Sequence, residues 1–307
     1  MQLNEKVEIV KSPLNYTGGK YKLLPQILPF FPDKIETFVD IFCGGCNIAI
    51  NVPAKKIICN DIDSNLIGLF NFFKKSTYET LLPKIKNVII EFNLSDSNEH
   101  DYKFYKCTSA NGLGNYNRAG FMQLREAFNS LQNKDENYYL YLYVLIVYAF
   151  NNQIRFNSEG DFNLPVGKRD FNIRMQKKLM AFLQALSGKK ITFSNKDFTK
   201  IKAESLTSND FVYADPPYLI TCASYNEKSW NENEEKRLLD YLDCLNEHKV
   251  HFALSNVLST DNKTNNILNE WLETRNYICH HLEFSYSNSN YHKKEIAKTD
   301  EVLITNY

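Results

Sequence analysis

A four-residue apolar run, Phe211-Val212-Tyr213-Ala214, halts at Asp215-Pro216-Pro217-Tyr218, and this junction restricts the possible folds more than any other stretch of the chain. A short run with no charged position reads as a strand buried on both faces, the kind found in parallel sheets covered by helices. Such a strand cannot continue through proline, which has no N–H to give to a neighbouring strand. Each proline also pushes the residue before it out of the helical region. The chain therefore leaves the sheet at the carboxyl end of the strand, the edge at which open α/β sheets bind ligands. The loop it enters is stiff, has carbonyls free to accept hydrogen bonds, and carries a carboxylate and an aromatic ring. Those groups suit a planar substrate bearing an amino group, such as a nucleobase.

Two α/β stretches flank a different middle. In the first, Thr37–Phe42 reads as a strand, Gly44-Gly45 as a turn and Asn47–Val52 as the start of a helix. Lys56–Cys59 is a second strand ending at Asn60-Asp61, and Ser64–Phe73 has helical apolar spacing. The alternation resumes with strands at Ile191–Phe193 and Phe211–Ala214 and a helix over Asn233–Leu245, capped by Asn231 or Asn233. A strand at Val250–Leu254, a helix at Thr264–Glu273 and strands at Tyr277–Phe284 and Glu301–Asn306 close it. The middle, about 76–188, has helical segments at Phe121–Leu131, Tyr138–Phe150 and Ile173–Leu186, with a hairpin signal between the last two. The expected architecture is α/β: a nucleotide-binding, Rossmann-like sheet over 1–75 and 189–307, with a helical insertion at 76–188 carrying a β-hairpin.

Charge and cysteine content narrow the partners. The 307 residues carry 36 Lys/Arg and 36 Asp/Glu, so no net field drives the chain onto a polyanion. Residues 151–200, however, hold ten Lys/Arg against four Asp/Glu, which fits a local nucleic-acid face. The longest apolar run, Tyr138–Phe150, has 13 residues and is too short to span a bilayer. The stretch Met1–Lys11 is polar and charged rather than signal-like, so a cytoplasmic location is expected, with its seven cysteines reduced. Cys43 and Cys46 form C-x-x-C without a second pair or nearby His, so no metal is expected.

Three further motifs carry chemistry. Phe38-Val39-Asp40-Ile41-Phe42-Cys43-Gly44-Gly45 puts glycines just past a strand, where backbone approaches a ligand closely. It lacks the G-x-G-x-x-G spacing of dinucleotide sites. Asp61, ending the next strand, can hold ribose hydroxyls or cap the following helix. Asn15-Tyr16-Thr17-Gly18-Gly19-Lys20 reads as a tight loop in which Lys20 meets a carboxylate and Tyr16 packs on a cation or ring. The glycine turn and Asp61 together point to a ligand with an adenosine part and no pyrophosphate.

The ordered set resembles the Dam-like (D12, α-group) DNA adenine-N6 methyltransferases. It is carried by Tyr16-x-Gly-Gly-Lys20, Phe38–Gly45, Asn60-Asp61-Ile62-Asp63, Asn151–Gly167 and Asp215–Tyr218, with Lys293-Lys294 and Asp300–Ile304 resembling the C-terminal end. The resemblance implies a class I fold and S-adenosylmethionine as cofactor. It implies cofactor contacts from Tyr16, Gly18, Gly19, Lys20, Asp40, Asp61, Ile62 and Asp215, with Phe42, Gly44, Asp197 and Phe198 lining the pocket. It implies catalysis by Asp215, Pro216, Pro217 and Tyr218, the last stacking on a base flipped out of duplex DNA. The segment Asn151–Gly167 resembles the family's DNA-reading hairpin, which makes Asn151, Asn152, Gln153, Arg155, Asn157 and Pro165 candidate DNA contacts, with Lys168 and Arg169 on phosphates. The implied partner is double-stranded DNA, with a cognate restriction endonuclease as a functional rather than stably bound companion. The rival readings are methylation of another amino group, on cytosine or RNA adenine, and a DNA-binding protein with a vestigial pocket.

Overall fold

The computed structural model describes residues 9–108, 110–221, 230–283 and 299–307. Cys222, Phe284 and Lys293-Lys294 lie outside the described residues. The chain divides into two compact units, a sheet unit of residues 20–43, 52–62 and 190–307 and a helical unit of residues up to 19, 44–51 and 63–189.

The sheet unit contains β1 (Ile35–Asp40), β2 (Ala54–Asn60), β3 (Ile191–Ser194), β4 (Phe211–Ala214), β5 (His251–Thr260), β6 (Lys263–Thr264), β7 (Ile278–Leu282) and β8 (Asp300–Thr305). Their order is β3-β2-β1-β4-β5-β8-β7, with β6 folded back on the end of β5. Strands β1 to β5 pair in parallel, while β8 runs antiparallel to both neighbours. This is the Rossmann-like sheet expected of a class I methyltransferase fold. All four residues of β4 are buried, as their unbroken apolar character requires.

The same unit holds the short helix α1 (Leu24–Ile27), and α7 (Glu232–Glu247) and α8 (Asn266–Glu273) come later in the chain. Leu238, Leu242 and Leu245 of α7 and Leu268 of α8 join Val39, Val212, Phe252 and Ile304 of the sheet in one core. Asn231 caps α7, accepting from Asn233 N at 2.9 Å and Glu234 N at 3.2 Å.

Helices α2 (Ser64–Lys74), α3 (Tyr78–Glu91), α4 (Gly114–Asn129), α5 (Glu136–Tyr148) and α6 (Ile173–Ser187) build the helical unit. The all-apolar face of α5 lies at its centre, with nine of its thirteen residues buried. The hairpin reduces to two isolated antiparallel bridges, Ala149 with Val166 and Phe156 with Phe162.

One expectation needs correction. The helix expected from Asn47 is a single 3-10 turn, Ala49–Asn51. Pro53 ends it, and β2 begins at Ala54. Around α1 the helix has only four residues flanked by 3-10 turns, with Pro25 and Pro29 at the first turns of two successive pieces. The helical unit takes in α2, from residue 63 onward. Helix α2 turns Leu66, Phe70 and Phe73 inward, with Phe70 and Phe73 against Phe182 of α6 and Phe73 on Tyr143 of α5. Its core partners are therefore helices.

Candidate active site

Four side chains of the sheet unit form a closed polar ring at the carboxyl edge of β4. Lys20 Nζ lies 2.8 Å from Asp215 Oδ1 and 3.6 Å from Glu301 Oε1. The Tyr218 hydroxyl lies 3.1 Å from Asp215 Oδ1 and 3.2 Å from Glu301 Oε1, and donates to these carboxylates. The Tyr218 ring lies under the ammonium, with Nζ 4.7 Å from its centroid. The topology explains the meeting. The chain leaves β4 into Asp215, whereas β8 runs antiparallel, so its amino end reaches the same edge and brings Glu301 opposite Val257 of β5.

Charge is unevenly balanced around this ring. Asp40, at the end of β1, is 1% exposed, and no donor meets its Oδ1 among the described residues. Burial pushes its carboxyl well above the ordinary range. The charges of Asp215 and Asp61 push the same way, and only the Phe42 backbone N–H opposes them. Burial also pushes Asp215 up, against the Lys20 ammonium and the Tyr218 hydroxyl, which hold it down. Burial and the two carboxylates push the Tyr218 hydroxyl far up, so it keeps its proton and remains a donor. Among the described residues, buried Asp40, Asp61 and Glu301, with the half-buried Asp215, outnumber buried Lys20, and such a donor set favours a cationic ligand.

Backbone and aromatic groups shape the surroundings. Asn60, buried at the end of β2, accepts from Ser194 Oγ at 2.8 Å and Lys196 N at 3.1 Å and donates to Lys196 O at 2.9 Å. It thereby holds the chain after β3 against the end of β2, and Asp61 follows it. Asp61 is not the helix cap: Asp63 is, accepting from Asn65 N and Leu66 N. Ile62 is 73% exposed. Phe42 stands 5.3 Å from Phe198 and edge-on to Trp230 at 5.5 Å. Trp230 is anchored through Nε1 to buried Glu235 at 2.8 Å. Asp197 accepts two 3.1 Å hydrogen bonds from Arg237. Burial alone would raise its carboxyl, but Thr199 and Arg237 hold it below the ordinary range.

The helical unit gathers a separate set. Tyr16 O closes a turn on Gly19 N at 3.1 Å, with Gly18 at φ +77°. A Cβ on Gly44, whose φ is +44°, would meet the Tyr16 ring at 3.1 Å, so this position requires glycine for both conformation and room. The same loop touches the hairpin: Asn15 Nδ2 donates to Asn151 O at 2.7 Å and Gln153 Nε2 to Thr17 Oγ1 at 3.4 Å. Asn151 and Asn152 both adopt left-handed backbone, at φ 56° and 54°. Arg155 Nε donates to Asn163 Oδ1 at 2.7 Å, and Asn157 Oδ1 accepts from Glu159 N and Asp161 N, so both side chains brace the hairpin. Pro165 O accepts from Phe150 N at 2.9 Å, and Lys168 and Arg169 are exposed.

Sequence reasoning quoted Asn60 and Glu301 only within resembling stretches and assigned neither of them, nor Trp230, to this region. The signal for Glu301 was an acid at the head of the apolar run Val302–Ile304, where a buried strand has no use for charge unless it is paired.

The profile of the D12 class N6 adenine-specific DNA methyltransferases matches residues 16–285. The chain is 43% identical to the Type II methyltransferase M.FokI of Planomicrobium okeanokoites, over 99% of this chain and 45% of that protein. It is 40% identical to the modification methylase StsI of Streptococcus sanguinis, over 100% of this chain and 44% of that protein. It therefore spans less than half the length of those two relatives. A DNA adenine methylase of Escherichia coli is 26% identical over 79% of each chain. By the profile match and these relatives, the chain belongs to the D12 class of N6 adenine-specific DNA methyltransferases.

Proposed function

We propose that this chain transfers a methyl group from S-adenosylmethionine to the exocyclic N6 of adenine in duplex DNA, after flipping the base from the stack. The observation that carries the reading is the Lys20–Asp215–Tyr218–Glu301 ring on a sheet of this family. The cofactor fits the residues present. The Oδ1 of buried Asp40, which meets no donor among the described residues, and the surplus of carboxylates among them suit a cationic ligand bearing an ammonium and a sulfonium. Asp61 suits ribose hydroxyls, and the Phe42–Phe198 wall suits an adenine ring. When bound, S-adenosylmethionine supplies a methyl group on a sulfonium whose departure leaves a neutral thioether.

The chain's own part is to make a poor nucleophile competent. The amino nitrogen of adenine shares its lone pair with the ring. Asp215 and the Pro216 carbonyl accept its two hydrogens and draw the nitrogen toward a pyramidal geometry with the lone pair exposed. Pro216 and Pro217 fix the loop, so the acceptors are placed in advance. Lys20 and the Tyr218 hydroxyl hold the Asp215 carboxylate. Burial raises its proton affinity, which suits it to take the proton the nitrogen sheds. The Tyr218 face provides a surface for the flipped base. Target reading belongs to the helical unit through Asn151–Pro165, Lys168 and Arg169. The names of M.FokI and StsI support a modification role alongside a restriction endonuclease.

Purified protein given labelled cofactor and genomic DNA should yield N6-methyladenine by nucleoside mass spectrometry. N4-methylcytosine alone, or no incorporation, would overturn the proposal. Asp215→Ala should lower turnover by about a thousandfold or more, the scale at which a preorganised acceptor contributes, while retaining the fold by circular dichroism.

A further inference from the structure

We infer that Glu301 is a positioning residue for methyl transfer, acting as the alternative acceptor that keeps Asp215 available to the substrate amine. The inference rests on the proposed adenine methylation. Lys20 and Tyr218 both face two carboxylates. Lys20 Nζ is 2.8 Å from Asp215 and 3.6 Å from Glu301, and the single Tyr218 proton has acceptors at 3.1 and 3.2 Å. With Glu301 present, the Tyr218 proton is shared out and the ammonium is drawn toward both acids. Asp215 then retains lone pairs for an incoming amino group.

Without the Glu301 charge, Asp215 draws Lys20 and Tyr218 more strongly. A carboxylate satisfied by internal donors is a weaker acceptor for the amine. Glu301 is 2% exposed, and burying an acid at the head of β8 is costly without such partners. A strand-forming apolar residue would otherwise serve that position.

The test is a mutant cycle read by steady-state methylation of DNA. Glu301→Gln keeps the shape and an acceptor for Tyr218 but loses the pull on Lys20. Its kcat should fall about tenfold to a hundredfold, with the KM for cofactor changed less than about threefold. Tyr218→Phe removes the competing hydroxyl, so in the double variant the loss should be smaller than the product of the two single losses. A merely structural Glu301 would lower thermal stability without that non-additivity. Should Glu301→Gln not fold, Glu301→Asp, which retracts the charge by one methylene, is measured against the same outcomes. An unimpaired kcat, strictly multiplicative losses, or an effect confined to KM overturns the assignment while leaving adenine methylation intact. An inactive wild type overturns both.

Discussion

Asp40 joins folding cost to ligand binding. Its buried Oδ1 meets no donor among the described residues, a deficit of about 1–3 kcal/mol for a buried polar group. Its raised proton affinity means that the folded state binds the proton more tightly than the unfolded state does. The associated stability is therefore fully present below the ordinary carboxylate range and is lost as pH rises through the raised value. Asp40→Asn keeps an oxygen for the Phe42 N–H and turns an amide toward Asp215 and Asp61. Without ligand, its Tm at neutral pH should rise by about 2–4 °C, with a smaller gain on acidification than in the wild type, as scanning calorimetry would show. Its cofactor affinity should fall about tenfold by titration calorimetry, since a cation loses its counter-charge. Asp215 was legible in the sequence because a strand end and prolines marked it, whereas Asp40, inside a stretch read as strand, came only from the resemblance. Glu301 was not legible, because which edge it reaches depends on β8 running antiparallel, and strand direction is set by packing of distant segments.

At the scale of elements, apolar runs were legible to the residue where burial was complete: β4 spans the predicted Phe211–Ala214. The failures came where punctuation overrode periodicity. The stretch from Asn47 has helical spacing, but too few residues remain before β2 for more than one turn, and two prolines divide the region around α1. Close helix contacts were also invisible, since they depend on what lies opposite. Gly120 of α4 is one: an added Cβ would stand 1.8 Å from Phe92 O. Alanine in a helix normally gains about 1 kcal/mol over glycine. Here the clash with backbone should win, and Gly120→Ala should destabilise by about 1–3 kcal/mol in urea unfolding. Glu235 of α7 accepts from Trp230, Asn256 and Asn265 at 2.8, 2.9 and 3.1 Å. Glu235→Ala strands three buried donors and should cost about 3 kcal/mol or more by the same measurement.

At the scale of the molecule, zero net charge conceals a basic segment, and the two exposed cations closing the hairpin, Lys168 and Arg169, lie within it. Replacing either with Ala should weaken DNA binding similarly across sequences and reduce the slope of log affinity against log salt by about one, as fluorescence anisotropy at several salt concentrations would show. The path of the chain has a further consequence. It passes five times between the two units, and two of the changes fall between Gly19 and Lys20 and between Cys43 and Gly44, inside two of the motifs. Residues 63–189 look like a cassette that a single exchange could transplant. Yet the helical unit also includes residues up to 19 and 44–51, held to it by contacts such as Asn15 to Asn151. A chimera that swaps 63–189 alone inherits foreign partners for those two strips. With the hairpin in its proposed reading role, point changes on it should alter specificity more readily than shuffling, and a working graft must carry all three strips together.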